Sequence, residues 1–365
     1  MEVRRTVDGL KRIGFTGVIL GYGREVVLRG TAEHSLASCT EGSVAEECIR
    51  DEVLPWAAGT METLRLAQPG DFVALKFSGA GRQALYALKN RLPPPKRLKE
   101  AIDEICNFAA KKDIPLIFDA EQTAIQAGID DWILHYQRKH NTKPGHAIIY
   151  GTYQAYLKAT PTVLGSHLAA ASKEGFTVGI KLVRGAYLDS DPRHIIHDTK
   201  AGTDACYDGI ASSLIQRKWG SVLHEDVAFP HVSILLATHN LISVRKAREI
   251  RDSPESAKTE LAIAQLLGMA DEVSCELLVA KAAHQERAQS GQDKPALVNQ
   301  ANQTVGFSEP PRAYKYIIWG TTRECMKYML RRAHENRDAL SRTHGSRDAA
   351  WGEIKRRIKA SIGLA

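Results

Sequence analysis

Apolar residues in this chain gather into short, nearly unbroken runs separated by longer amphipathic or polar stretches. Eight runs stand out: Phe15–Leu20, Phe72–Phe77, Ile114–Phe118, Ala147–Gly151, Thr177–Val183, Val232–Ala237, Glu260–Leu267 and Ala313–Ile318. Most lack the alternation of a half-exposed strand, so they read as parallel strands covered on both faces. Between them, Pro94–Lys111, Gln154–Lys173, Asp204–Lys218, Leu241–Asp252 and Thr321–Asn336 carry helical patterning. Eight strands alternating with helices predict an α/β fold, a (β/α)8 TIM barrel. Asp189–Thr203 and Gln285–Phe307 look looser, and the second could be ordered or could act as a lid. No repeat and no Gly-, Ser- or Pro-rich linker divides the chain. One domain over 1–365 is expected, with the barrel at about 14–340 and a basic helical tail at 341–365.

Polar residues interrupt or close the apolar runs in a telling way. Lys76 falls inside the second run, and Asp119 and Glu121 follow the third. Thr152 and Gln154 follow the fourth, Lys181 and Arg184 close the fifth, Thr238-His239-Asn240 closes the sixth, and Tyr316 lies late in the eighth. If the runs are barrel strands, all these groups converge on the C-terminal mouth, where such barrels do their chemistry. The bland alternative is that strands end where solvent begins. A lysine within an apolar strand resists that account, because a buried charge is costly unless something pairs with it. On a helix, Tyr328 and Arg332 are i,i+4, as are Arg331 and Glu335. The pattern fits either an exposed ion pair or two adjacent arginines clamping a small carboxylate.

The 365 residues carry 49 basic and 42 acidic side chains, a net charge of +7. This ordinary globular composition excludes disordered, collagen-like and disulfide-scaffold classes. No apolar run approaches the ~18 residues of a spanning helix. Cys39, Cys48, Cys106, Cys206, Cys275 and Cys325 form no CxxC pair, which favours a reducing compartment and argues against a structural metal. Basic residues cluster at Leu88–Lys99 and in the tail from Arg337. They read as solvated helix faces or as a peripheral docking surface for anionic lipid, and no nucleic-acid reader motif accompanies them. The stretch Gly79-Ala-Gly81-Arg-Gln-Ala84 matches a nicotinamide fingerprint, but the chain then enters Leu92-Pro-Pro-Pro-Lys96 with no strand ending in a ribose-binding acid. No nucleophile elbow or HExxH is present. Met1 to Asp8 shows neither a secretory h-region nor a transit peptide.

Five segments in order, Phe118-Asp-Ala-Glu-Gln122, Lys181-Leu-Val-Arg-Gly-Ala-Tyr187, Ala237-Thr-His-Asn240, Leu266-Leu-Gly-Met269 and Tyr328-Met-Leu-Arg-Arg-Ala-His-Glu-Asn336, give the chain a resemblance to the proline dehydrogenases. These are flavoenzymes that oxidise L-proline. The resemblance runs from Phe15 to Asn336 and implies a distorted (β/α)8 TIM barrel with FAD at the C-terminal ends of the strands. It implies that Lys76, Arg331 and Arg332 hold the substrate carboxylate, while Asp119, Tyr187, Leu266 and Tyr316 wall the pocket. Thr152, Gln154, Lys181, Lys200, Thr238, His239, Asn240 and Glu335 fall at positions that bind the flavin in the family. Lys181 departs from the arginine of bacterial members and follows the eukaryotic pattern. The implied reaction moves a hydride from proline C5 to flavin N5, giving 1-pyrroline-5-carboxylate and passing electrons to a quinone. The implied setting is the matrix side of the mitochondrial inner membrane, although no targeting peptide is visible and a cytosolic location stays open. Tyr316 implies a preference for proline over hydroxyproline. The alternatives are a flavin enzyme for another cyclic imino acid, a nicotinamide enzyme using Gly79–Ala84, and a non-enzymatic binding protein on a barrel scaffold.

Overall fold

A computed structural model describes residues 2–26, 39, 41–253, 259–289 and 312–335, with 351, 354–355 and 357–358 of the tail. Eight parallel strands close into a barrel in sequence order. They are β1 (Gly17–Tyr22), β2 (Phe72–Leu75), β3 (Leu116–Phe118), β4 (Ile149–Gln154), β5 (Val178–Val183), β6 (Val232–Ala237), β7 (Leu261–Leu266) and β8 (Arg312–Trp319). Each overlaps one of the eight expected runs. The barrel closes where β1 pairs with β8.

Helices expected from patterning appear as α5 (Lys96–Lys112), α7 (Thr160–Glu174), α8 (Lys200–Gln216), α9 (Leu241–Asp252) and α11 (Thr322–Glu335). The expected helix from Gln154 begins six residues late. Gln154 instead ends β4, because its register with Val183 continues the ladder to β5, and α7 starts only at Thr160 with a proline in its first turn. The structure adds α1 (Glu2–Ile13), α2 (Gly42–Cys48), α3 (Leu54–Leu66), α4 (Arg82–Lys89), α6 (Thr123–His140) and α10 (Asp271–Gln289). Most of the 285–307 stretch and most of the basic tail lie outside the described residues.

The barrel interior is filled from its N-terminal end. Phe72 meets Tyr150 and Tyr314 edge-on, with ring centroids 5.4 and 5.1 Å apart. Ile19, Ala74, Ile117, Leu235 and Ala264 pack above that aromatic layer. Side chains on a strand return to the same face every second residue. The next inward positions after Ala74, Ile117, Tyr150 and Tyr314 are therefore Lys76, Asp119, Thr152 and Tyr316. The apolar plug thus ends where the polar residues begin.

In the Leu88–Lys99 cluster, Arg91, Arg97 and Lys99 are exposed and pair with Asp131, Glu100 and Asp103. The glycines of the nicotinamide-like stretch serve packing. A Cβ on Gly79 would lie 2.3 Å from Arg24 O, and one on Gly81 would collide with the Glu52 carboxylate. Glu52 also accepts from the Arg82 N–H at 2.6 Å, so the start of α4 faces an internal carboxylate where a dinucleotide phosphate would need to sit.

Candidate active site

Lys76 follows β2 directly, and its backbone oxygen accepts from Trp56 Nε1 at 2.9 Å and from Gly79 N at 3.2 Å. Its ammonium is buried, 3.3 Å from Asp119 Oδ2 and 3.9 Å from Glu25 Oε2. Asp119, one residue past β3, accepts from Lys181 Nζ at 2.6 Å on Oδ1 and from Tyr316 Oη at 2.8 Å on Oδ2. The Lys181 ammonium also stands 5.1 Å from the centre of the Tyr316 ring. One carboxylate, following β3, thus binds two lysines and a tyrosine from three other strands.

Burial would raise the Asp119 carboxyl, but Lys181 and Lys76 hold it well below the usual carboxylate range. Burial likewise opposes charge on Lys76, yet the Tyr187 hydroxyl, Asp119 and Glu25 together keep it above the ordinary lysine range. Lys181 goes the other way: burial lowers it despite Asp119, and Lys76 and Arg332 add repulsion. Glu121, buried two residues on, accepts from Ser78 N at 2.9 Å and is pushed up by burial.

The arginine pair does not lie on the outer surface. Arg331 donates from Nε and Nη2 to both oxygens of Glu25 at 2.7 Å. Its guanidinium also stands 5.0 Å from the Tyr187 ring and 5.6 Å from Tyr328, while Arg332 is 5.2 Å from Tyr328. Burial raises the Tyr187 hydroxyl to about 12. Leu266 ends β7 in register with Tyr316, and its N–H donates to His239 Nε2 at 3.2 Å.

The residues expected to hold a cofactor differ in what already engages them. Thr152 sits beside Lys181 across the β4–β5 ladder; it is buried, and among the described residues its hydroxyl makes no hydrogen bond. Gln154 is engaged by the scaffold, donating to Glu121 O at 3.3 Å and accepting from Ala186 N at 3.2 Å. Asn240 caps α9, its Oδ1 accepting from Ile242 N at 3.0 Å and Ser243 N at 3.2 Å. Lys200 opens α8, exposed and paired with Asp204. Glu335 ends α11, and its side chain lies outside the described residues.

Glu25 has no place among the residues the sequence singled out as functional. The available signal was weak: an acid three residues past β1, at the height where the other strands end in polar groups. Arg184 was visible as a strand-closing residue but carried no role.

The family model described as proline dehydrogenase matches residues 3–345. The chain belongs to the proline dehydrogenase family. A probable mitochondrial proline dehydrogenase of Schizosaccharomyces pombe is 34% identical over 273 residues, covering 72% of this chain and 50% of that protein. Mitochondrial proline dehydrogenase 1 of Homo sapiens is 30% identical over 276 residues, covering 72% of this chain and 39% of its own length. The chain therefore spans half or less of these curated relatives. Among solved structures, proline utilization A of Bdellovibrio bacteriovorus, inactivated by N-propargylglycine, aligns with a TM-score of 0.61 at 16% identity, covering 91% of this chain and 31% of that one. That likeness is one of fold, the α/β barrel.

The proline dehydrogenase family is FAD-dependent. The mouth fits such a group. Thr152 presents a buried hydroxyl without a partner among the described residues, a condition that burial penalises unless a ligand satisfies it. Lys181 supplies a cation beside it, and the Thr238–Asn240 segment leads into α9, whose first N–H groups Asn240 caps while the positive end of the helix dipole still favours an anion.

Proposed function

We propose that this chain is a proline dehydrogenase that binds FAD, oxidises L-proline to 1-pyrroline-5-carboxylate and passes the electrons to a quinone, as the first step of proline catabolism. The observation that carries the reading is the convergence on one buried mouth of Lys76, Arg331 and Arg332 with Asp119, Lys181, Tyr187 and Tyr316. A binding protein has no need of three cations placed to take one small carboxylate. A nicotinamide enzyme would need the glycine loop that Glu52 and Arg24 already fill.

In this reading the substrate carboxylate takes the place of Glu25 against Arg331 and Lys76, with Arg332 completing the clamp. Three charged donors fix its orientation, and orientation is much of what such a site contributes. Tyr316, Tyr187 and Leu266 wall the ring. Asp119 joins them and holds Lys181 and Tyr316 in place by hydrogen bonds of 2.6 and 2.8 Å. Bound FAD would supply the hydride acceptor. Thr152, Gln154, Lys181, Lys200, Thr238, His239, Asn240 and Glu335 would hold it. The amine must be neutral for its lone pair to form the C=N bond, so catalysis should favour alkaline pH.

The chain acts as one barrel domain, about 14–340, with a basic tail at 341–365. In that tail Trp351, Ile354 and Ile358 are exposed on helical residues beside Lys355 and Arg357, a pattern that suits peripheral contact with anionic lipid near a membrane quinone. No described helix is long and apolar enough to cross a membrane. The setting that accords with the relatives' names is the mitochondrion. Anaerobic addition of L-proline to the purified protein tests the core of the reading: a flavin spectrum that bleaches supports it, and a flavin indifferent to proline refutes the substrate assignment. Failure to bind vesicles of anionic lipid at low salt would refute the membrane contact alone.

A further inference from the structure

Arg184, one residue beyond β5, ties three elements together. Its Nε donates to Asp204 Oδ1 on α8 at 2.8 Å, Nη1 to Thr238 Oγ1 after β6 at 2.7 Å, and Nη2 to Ser243 Oγ on α9 at 2.8 Å. The guanidinium stacks on Tyr207, 4.3 Å from the ring centre. Thr238 Oγ1 receives a second hydrogen bond from Asn240 N at 3.1 Å.

A hydroxyl oxygen has two acceptor positions and one proton. Arg184 and Asn240 occupy both acceptor positions, which leaves the proton as the one hydrogen-bonding function Thr238 has to offer. Tyr207 Oη lies near enough to be influenced by Thr238, yet among the described residues it makes no hydrogen bond. Around Thr238 the charge suits an anion. The N-terminus of α9 starts three residues on, Lys200 opens α8, and Arg184 neutralises Asp204, which would otherwise repel a phosphate.

We propose that Arg184 is a positioning residue for the cofactor phosphates: by occupying the acceptor side of Thr238 it makes that hydroxyl a donor to a phosphoryl oxygen. The inference rests on the flavoenzyme reading above. A lysine there would keep the charge but not reproduce three bonds from a planar fork.

Equilibrium titration of the apoprotein with FAD and, separately, with riboflavin tests this, because riboflavin keeps the ring and ribityl chain but has no phosphate. Thr238→Val and Arg184→Ala should each weaken FAD by roughly tenfold to a hundredfold and leave riboflavin unchanged. Thr238→Ser should retain FAD affinity, and the Arg184→Ala/Thr238→Val double variant should bind no more weakly than the worse single variant. Should Arg184→Ala fail to fold, Arg184→Lys gives the same reading, since it keeps the charge and loses the fork. Additive losses, or equal losses for FAD and riboflavin, would overturn the proposal. A tighter FAD complex in Tyr207→Phe would overturn it as well, since the proton would then belong to Tyr207. A wild-type protein that binds neither flavin defeats the flavoenzyme reading itself. One that binds FAD but gives additive losses defeats only the role of Arg184.

Discussion

Glu25 and Arg331, 306 residues apart in the chain, meet in a two-bond ion pair at the barrel mouth, with both donor–acceptor distances at 2.7 Å. Lys76 attracts the same carboxylate from 3.9 Å. Lys76 and Arg331, with Arg332, hold Glu25 charged against the burial that would raise its pKa. An internal carboxylate thus sits where a substrate carboxylate is proposed to bind, and the two must exchange.

That exchange gives a direct expectation. Glu25→Gln removes the charged competitor, so the Kd for proline should fall several-fold while the melting temperature drops, because Arg331 loses its buried partner. Calorimetric titration and thermal melts read the two effects. A higher Kd would mean that Glu25 orients Arg331 for substrate.

Asp119 holds the rest of the site. Asp119→Ala strands two buried lysines and should cost about 3–5 kcal/mol in denaturant unfolding. Replacing Lys181 by Met in the same protein should recover part of that loss, since one of the stranded charges is gone. The sign with pH follows from the lowered pKa. The contribution of Asp119 is fully present above the unfolded carboxylate range and is lost as pH falls through the lower folded value. Independent, additive costs for the two substitutions would contradict the coupling.

Tyr316 is held by Asp119 and packs close against β1. Its hydroxyl bonds Asp119 at 2.8 Å, and a Cβ on Gly21 would lie 2.8 Å from the same oxygen. A wall this rigid leaves little room for a ring hydroxyl on the substrate. The protein should therefore prefer proline, and Tyr316→Ser should raise kcat/KM for hydroxyproline relative to proline. Comparable kcat/KM for the two substrates in the wild type would remove this role.

Stability should respond to two groups behind the mouth, in opposite directions. Burial raises the Asp130 carboxyl to about 7, although it accepts from Gln126 Nε2 at 2.9 Å. Its contribution is greatest in acid and is lost as pH rises through about 7. Burial lowers His167, which shares a 2.8 Å hydrogen bond with Tyr153 Oη, to about 4. That contribution is present above the unfolded histidine value and is lost as pH falls toward 4. Asp130→Asn should abolish the decline toward neutral pH, and His167→Gln the decline toward acid. Unfolding measured from pH 4 to 8 reads both slopes, and a slope surviving its own substitution would exclude that group as its source.

The strands were legible because a barrel strand covered on both faces must be apolar almost throughout, and that leaves a mark within four to eight residues. Several helices were harder to read. Helix α3 carries no clear apolar stripe, so the face it buries depends on what surrounds it. Gln154 shows the same limit at an element boundary, where pairing with Val183 overrode the local helical pattern.

By itself the sequence determined the barrel, the height at which its apolar filling gives way to polar residues, and most of the residues brought to the mouth. Unbroken apolar runs and strand ends are local properties, and five ordered segments identified the family. Only the tertiary structure decided the pairings: Asp119 between Lys181 and Lys76, Glu25 on Arg331, and Arg184 on Thr238. Charges buried together interact through space with an energy set by distance and dielectric. Separation along the chain, 62 residues in one case and 306 in another, carries no trace of that energy.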